Sequence, residues 1–162
     1  MQTLEQQYLT IVTSQFTHFK ERAELAFKQL TDDELHWKPS GESNTIAIII
    51  KHLSGNMHSR WVDFLITDGE KTYRDRSDEF SEKRLPRDEL MKKWESGWHL
   101  LFETVEGLIE DDLHKTVMLR KQQLTVLSAI QTEIAHISYH LGQILYIGKQ
   151  IKDKEWMILS IP

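Results

Sequence analysis

Apolar side chains recur three and four residues apart along most of this chain, a spacing that closes one face of an α-helix and is wrong for a strand. The first such stretch runs from about Leu4 to Leu30, with Tyr8, Val12, Phe16, Ala23 and Phe27 on its inner side. A second is expected to start after Ser43 or Asn44, either of which can cap free N–H groups. Its stripe is Ile46, Ile49, Ile50, Leu53, Met57, Trp61 and Phe64, and it should stop near Asp68-Gly69. Pro86 suits the first turn of a third helix, with Asp88 and Glu89 near its positive end and Leu90, Trp94, Trp98, Leu101 and Val105 facing inward. Thr125 can cap a last helix reaching about Ile151, striped by Ile130, Ile134, Ile137, Leu141 and Ile144. Four long helices in 162 residues predict an all-α four-helix bundle, one domain spanning 1–162.

The segments between the helices carry weaker signals. Thr31 to Leu35 can form a short helical turn, and Thr116 to Leu119 reads as extended. Asp68 to Arg84 is dense in alternating charge without a helical stripe, which predicts a long charged loop between the second and third helices. Loops of that length inside compact domains are often functional. Glycines within helices, Gly55, Gly97, Gly142 and Gly148, point to close backbone approach, and Trp156 is placed to clamp the tail onto the bundle. The other tryptophans read as mostly core.

Composition narrows the chemistry. A net charge of −5 argues against a duplex nucleic-acid binder, which needs a basic footprint. The longest apolar run, Ile46 to Ile50, is too short to cross a bilayer, and the N-terminal residues lack a signal-peptide pattern, so a cytoplasmic protein is expected. The chain has no cysteine, which excludes disulfides, thiolate metal ligands and a cysteine nucleophile.

Eight histidines remain, and two of them, His136 and His140, lie four apart on the last helix, one above the other on a single face. That spacing lets two imidazoles reach one ion, and His52 on the second helix is the best third ligand. On the helical wheel the three are displaced from the apolar stripes toward an edge of the bundle. The same wheel turns Tyr139 away from the histidines. His18, His36, His58, His99 and His114 have no such partner and read as structural. Ile137 stands where a zincin protease needs glutamate. Glu133-Ile134-Ala135-His136 is a single Glu-x-x-His motif where a ferritin-like di-iron site needs two, so a mononuclear site is favoured.

These residues lie in a recognisable context. Lys51-His52-Leu53-Ser54-Gly55-Asn56 and Ala135-His136-Ile137-Ser138-Tyr139-His140-Leu141-Gly142-Gln143-Ile144, about 84 residues apart, resemble the two metal-ligand motifs of the DinB-like (DinB/YfiT-like) family of four-helix-bundle metalloenzymes. Ser59 to Lys71, Arg74-Asp75-Arg76, Asp78-Glu79-Phe80 and the tail Trp156 to Pro162 resemble an uncharacterised branch common in bacilli. The resemblance implies a three-histidine site for one divalent ion, often completed by water, and some relatives transfer or use bacillithiol or mycothiol.

The resulting expectation is a metal-dependent enzyme, a bacillithiol-type thiol S-transferase or a hydrolase, acting on a small molecule. The alternative is a non-catalytic, metal-stabilised stress-response or binding protein. Zinc or nickel leads among the ions, with iron also suited to imidazole. Glu133 is the candidate base, and Asn56 and Gln143 are candidates to support the ligands. Arg60, Arg74 and Arg76 could grip an anionic substrate, although pairing with neighbouring carboxylates is the ordinary alternative. A homodimer is expected, and no membrane or nucleic-acid partner.

Overall fold

The computed structural model describes residues 1–159, so the last three residues of the tail lie outside it. In chain order the helices are α1 (Leu4–Phe27), α2 (Asp32–Leu35), α3 (Ile46–Trp61), α4 (Arg76–Glu79), α5 (Arg87–Glu106) and α6 (Val126–Lys152). One hairpin, β1 (Thr116–Leu119) and β2 (Gln122–Thr125), precedes α6. The architecture is the expected helical bundle: α1, α3, α5 and α6 are its long members, with α3 packed along α5 and α1 along α6.

Threonine starts most of these helices. The side chains of Thr3, Thr31, Thr45 and Thr125 accept backbone N–H groups of the first turns of α1, α2, α3 and α6. The cap of α3 is thus Thr45, one residue past the two candidates read from the sequence. The stripes then meet in one core that includes Phe16, Leu53, Met57, Trp61, Trp94, Trp98 and Ile130. Phe27, Trp94, Trp98 and Phe102 follow one another edge-on or stacked, with centroids 5.1–5.6 Å apart. Trp37 leaves this pattern and is 41% exposed.

Two helices end sooner than their stripes suggest. α1 stops at Phe27, although Leu30 is still buried. α3 stops at Trp61, where Val62 turns extended and Asp63 takes a φ of 48°. Aspartate tolerates that left-handed conformation better than most residues, and the Asp63 carbonyl accepts from Thr67 N and Thr67 Oγ1 at 3.0 Å each. Phe64 is buried either way, which is why the apolar spacing runs through the true boundary.

The charged segment 68–84 is mostly irregular, as expected, but it is built into the fold. Asp68 accepts the N–H groups of Glu70, Arg120 and Lys121 at 2.7–2.8 Å. These bonds hold Arg120 and Lys121, the hairpin turn, at φ values of 52° and 63°. Lys51 Nζ, from α3, donates to the carbonyls of Asp78 and Ser81 at 3.2 and 2.7 Å. The segment is thereby pinned across α3, with α4 lying over His52.

The helical glycines serve different neighbours. A Cβ on Gly97 would meet Ser54 Cα of α3 at 3.1 Å, the close backbone approach expected. Gly148 instead accommodates the Trp156 ring, which packs on the bundle as a clamp, and Gly142 faces open space. Among the described residues no helix is long and apolar enough to cross a membrane.

Candidate metal centre

α3 carries His52 in its second turn, and α6 carries His136 and His140 one turn apart. Where the two helices cross, one nitrogen from each ring falls within 4.8 Å of the others. His52 Nε2 and His136 Nε2 are 3.1 Å apart. The His140 ring centre lies 4.9 Å from that of His52 and 4.8 Å from that of His136. His140 Nε2 is buried and has no hydrogen-bond partner among the described residues.

The outer nitrogens explain this arrangement. His52 Nδ1 lies 3.0 Å from Glu79 Oε2, His136 Nδ1 3.4 Å from Glu133 Oε1, and His140 Nδ1 2.8 Å from Gln143 Oε1. Carboxylate and amide oxygens only accept, so each Nδ1 must carry the hydrogen. In the neutral rings each Nε2 then presents a lone pair to the same small space. Three converging lone pairs repel one another unless a cation lies between them, and the unsatisfied His140 Nε2 marks the same need. Tetrahedral zinc–nitrogen bonds of about 2.0–2.1 Å put ligand nitrogens roughly 3.3 Å apart. The observed separations fit a single ion after small side-chain adjustments. Among the described residues this is the one group of three or more histidines, aspartates and glutamates able to hold a metal.

Burial presses on protonation here. Loss of solvent pushes the His140 pKa down from 6.5 to about 4, the Gln143 bond opposing it and His136 and His52 adding to it. A folded-state pKa below the unfolded one means that the unfolded chain takes up the proton first as pH falls. In metal-free protein, His140 therefore contributes stability that is fully present above about pH 6.5 and is lost progressively toward pH 4. Urea unfolding across that window should show a steeper decline for the parent than for His140→Gln. Equal slopes would remove His140 from the account.

The three residues named as supports or base fall in different places. Gln143 does hold His140. Among the described residues Asn56 makes no hydrogen bond to a histidine; with its amide nitrogen turned inward it donates to both oxygens of Glu133, at 3.0 and 3.1 Å. Glu133, expected as a base, is 0% exposed. Its oxygens also receive Arg60 Nη1 at 2.6 Å, and it meets His136 at Nδ1, the side turned away from the converging lone pairs. That placement suits holding the ring more than exchanging a proton with a ligand.

The three arginines are each paired with a carboxylate. Arg60 is buried against Glu133, and Arg74 binds Glu79 through Nε and Nη2 at 2.8 and 2.9 Å. Arg76 is more exposed and donates to Glu70 at 3.1 Å. Tyr139 departs from the wheel reading: its ring lies over His140, with centroids 4.1 Å apart, and 5.6 Å from His136. A residue in the left or right neighbour position can lean across the helix surface, which an angular projection ignores. Phe80 packs against His52, with ring centroids 4.8 Å apart. Of the other histidines, His36 Nε2 meets the Leu85 carbonyl and His58 Nε2 the Ser96 hydroxyl, both structural contacts.

Glu79, which was no site candidate in the sequence, stands at the site behind His52. Despite burial, which pushes its carboxyl pKa up, the bonds from His52 and Arg74 hold it below the ordinary carboxylate value. Its one sequence signal was the Asp78-Glu79-Phe80 segment within the charged loop; nothing in helical spacing could tie that segment to His52.

Comparison with curated proteins gives no match. A family model described as a protein of unknown function (DUF1572) matches residues 3–162, which includes all four long helices, both histidine segments and the charged loop. That family falls in the DinB-like clan, in keeping with the resemblance of the two histidine motifs. With its three histidines brought together where α3 crosses α6, the chain belongs to the DUF1572 family.

Proposed function

We propose that this protein binds one divalent ion through His52, His136 and His140 and uses it in catalysis on a small molecule. The observation that carries the reading is the convergence of three Nε2 lone pairs, each fixed by an acceptor on the opposite ring nitrogen. Three protein ligands leave a coordination position for a water or a substrate, the pattern of catalytic sites. When bound, a divalent ion would supply the Lewis acidity that makes a water or a small thiol nucleophilic near neutral pH.

The chain's own residues shape what can approach. No cysteine is present, so a sulfur nucleophile must come from a small-molecule thiol. A thiol S-transferase of the bacillithiol type fits that requirement, with metal-dependent hydrolysis as the other enzymatic form. Phe80 and Tyr139, both partly exposed, give the site an apolar rim suited to an electrophile with a hydrocarbon body. Arg76 is the most exposed of the three arginines named above, which makes it the candidate for an anionic group on a substrate once it leaves Glu70. Imidazole ligands suit zinc or nickel, and iron as well.

A second reading has its own observation. His52 and His140 are only 8% and 4% exposed, and deep burial favours an ion that stabilises the fold without turnover. The two separate experimentally. Chelated, tag-free protein should take up one equivalent of zinc or nickel by calorimetry, with a higher thermal midpoint. Failure to bind any of zinc, nickel, cobalt or ferrous iron would overturn both readings. Metal-dependent turnover with a thiol and an electrophile, or with an ester panel, supports the enzyme. Tight binding and stabilisation without turnover supports the structural ion.

A further inference from the structure

We infer that Glu79 is a positioning residue for the metal centre: it sets His52 as a ligand from outside the bundle, and Arg74 keeps it from adding negative charge there. This rests on the three-histidine reading and goes beyond it by assigning the site's affinity to a carboxylate on the segment between α3 and α5.

His136 and His140 are each held by a residue three positions away on the same helix, Glu133 and Gln143. Their partners come with the helix. His52 has no such local partner; its acceptor is 27 residues on, in α4. An imidazole on its own favours the tautomer with hydrogen on Nε2, which would turn an N–H, not a lone pair, toward the ion. The Glu79 bond at 3.0 Å reverses that preference by requiring the hydrogen on Nδ1.

Several features seat this carboxylate and no other group. A Cβ on Gly55, one turn after His52, would lie 2.1 Å from Glu79 Oε1 and 2.6 Å from its carboxyl carbon. Only a glycine leaves room for the carboxylate against α3. Arg74, its side chain 3% exposed, closes the other side with two bonds. Lys51 ties the Asp78 and Ser81 carbonyls to the helix on either side of Glu79. Phe80 then packs at a tilt against the His52 ring.

Charge explains the arginine. A bare carboxylate behind His52 would donate negative charge through the imidazole and weaken the ion as a Lewis acid. Arg74 cancels it, as Arg60 cancels Glu133 behind His136, while Gln143 behind His140 is neutral already. All three outer partners thus orient a ring without net charge.

The test uses full-length chelated protein, with Glu79→Ala, Glu79→Gln and Arg74→Gln. Titration with zinc should give an affinity for Glu79→Ala about 10–100-fold below the parent. Glu79→Gln, whose amide oxygen can still accept from Nδ1, should fall between them. A purely structural role would not produce that order at equal thermal midpoints in chelator. Nitrogen-15 NMR of the metal-free proteins supplies an independent readout: His52 should carry hydrogen on Nδ1 in the parent and shift toward Nε2 in Glu79→Ala. If Glu79→Ala does not fold, Glu79→Gln and Arg74→Gln carry the affinity comparison. Parent protein that binds zinc while the Glu79 variants bind it within about twofold overturns the inference and leaves the three-histidine reading intact. Parent protein that binds no metal overturns that reading, and the His52 tautomer still decides whether Glu79 sets the ring.

Discussion

Replacing His140 with alanine should abolish stoichiometric binding of a divalent ion, with the same result for His52→Ala and His136→Ala. The effect should exceed the roughly 10–100-fold that loss of an outer-shell partner costs, because each substitution removes a nitrogen bonded to the ion itself. Two remaining imidazoles would leave the ion half solvated in a pocket where His52 and His140 are almost fully buried, an unfavourable compromise. Metal content of protein purified without a histidine tag, followed by zinc titration of chelated samples, checks this directly. Retention of one equivalent by all three variants would sink the assignment. The neighbouring His58→Ala serves as control: its Nε2 bonds the Ser96 hydroxyl, away from the cluster, and metal content should not change.

A second large effect is expected at Glu133, on stability. Its carboxylate is wholly buried and bonded to Arg60 at 2.6 Å, and Arg60 Nε already lacks a partner among the described residues. Glu133→Ala removes the counter-charge and leaves a buried guanidinium unpaired. Breaking a buried pair from one side costs about 3–5 kcal/mol. Asn56, whose amide donates to both Glu133 oxygens, loses its acceptor as well. Chemical unfolding of chelated protein should show the full loss for Glu133→Ala and a smaller one for Glu133→Gln, which keeps an oxygen for Arg60. Replacing both partners, as Arg60→Met with Glu133→Leu, should recover much of the stability, since apolar groups of similar volume need no counter-charge. A loss below about 1 kcal/mol for Glu133→Ala would mean that the pair behaves like an exposed one.

These two predictions draw on different depths of the sequence. His136 and His140 could be found from spacing, because a helix brings residues four apart onto one face whatever surrounds it. His52 was already the best third ligand from its place on the second helix, and the resemblance of its motif strengthened that choice, since nothing in the wheel states which helix faces which. The partners on α6, Glu133 and Gln143, were legible as candidates for the same reason as the pair they support. Their roles were not. Glu133 looked like a base until its oxygens were seen to be occupied by Arg60 and Asn56, two residues of α3.

Helix ends show the same division. The stripe Ile46 to Phe64 carries past the end of α3 because Phe64 is buried from a turn as readily as from a helix. The positive φ of Asp63 depends on the bonds that Thr67 returns to it. Likewise, Arg120 and Lys121 adopt a hairpin turn suited to glycine or asparagine because Asp68, far away in the chain, accepts both their N–H groups. No local propensity announces such a turn.

The sequence by itself determined the helical class, the order of the four long helices, the absence of a cysteine ligand or nucleophile and the histidine pair on α6. All of these follow from periodicity or composition, which act within one segment at a time. The tertiary structure decided that His52 meets that pair, that Arg60 is spent on Glu133, and that Glu79 from the charged segment stands behind His52. Those contacts join residues 27 to 84 positions apart. They exist because burial forces each polar group to find a partner in space, and the chain's fold alone chooses which partner lies within reach.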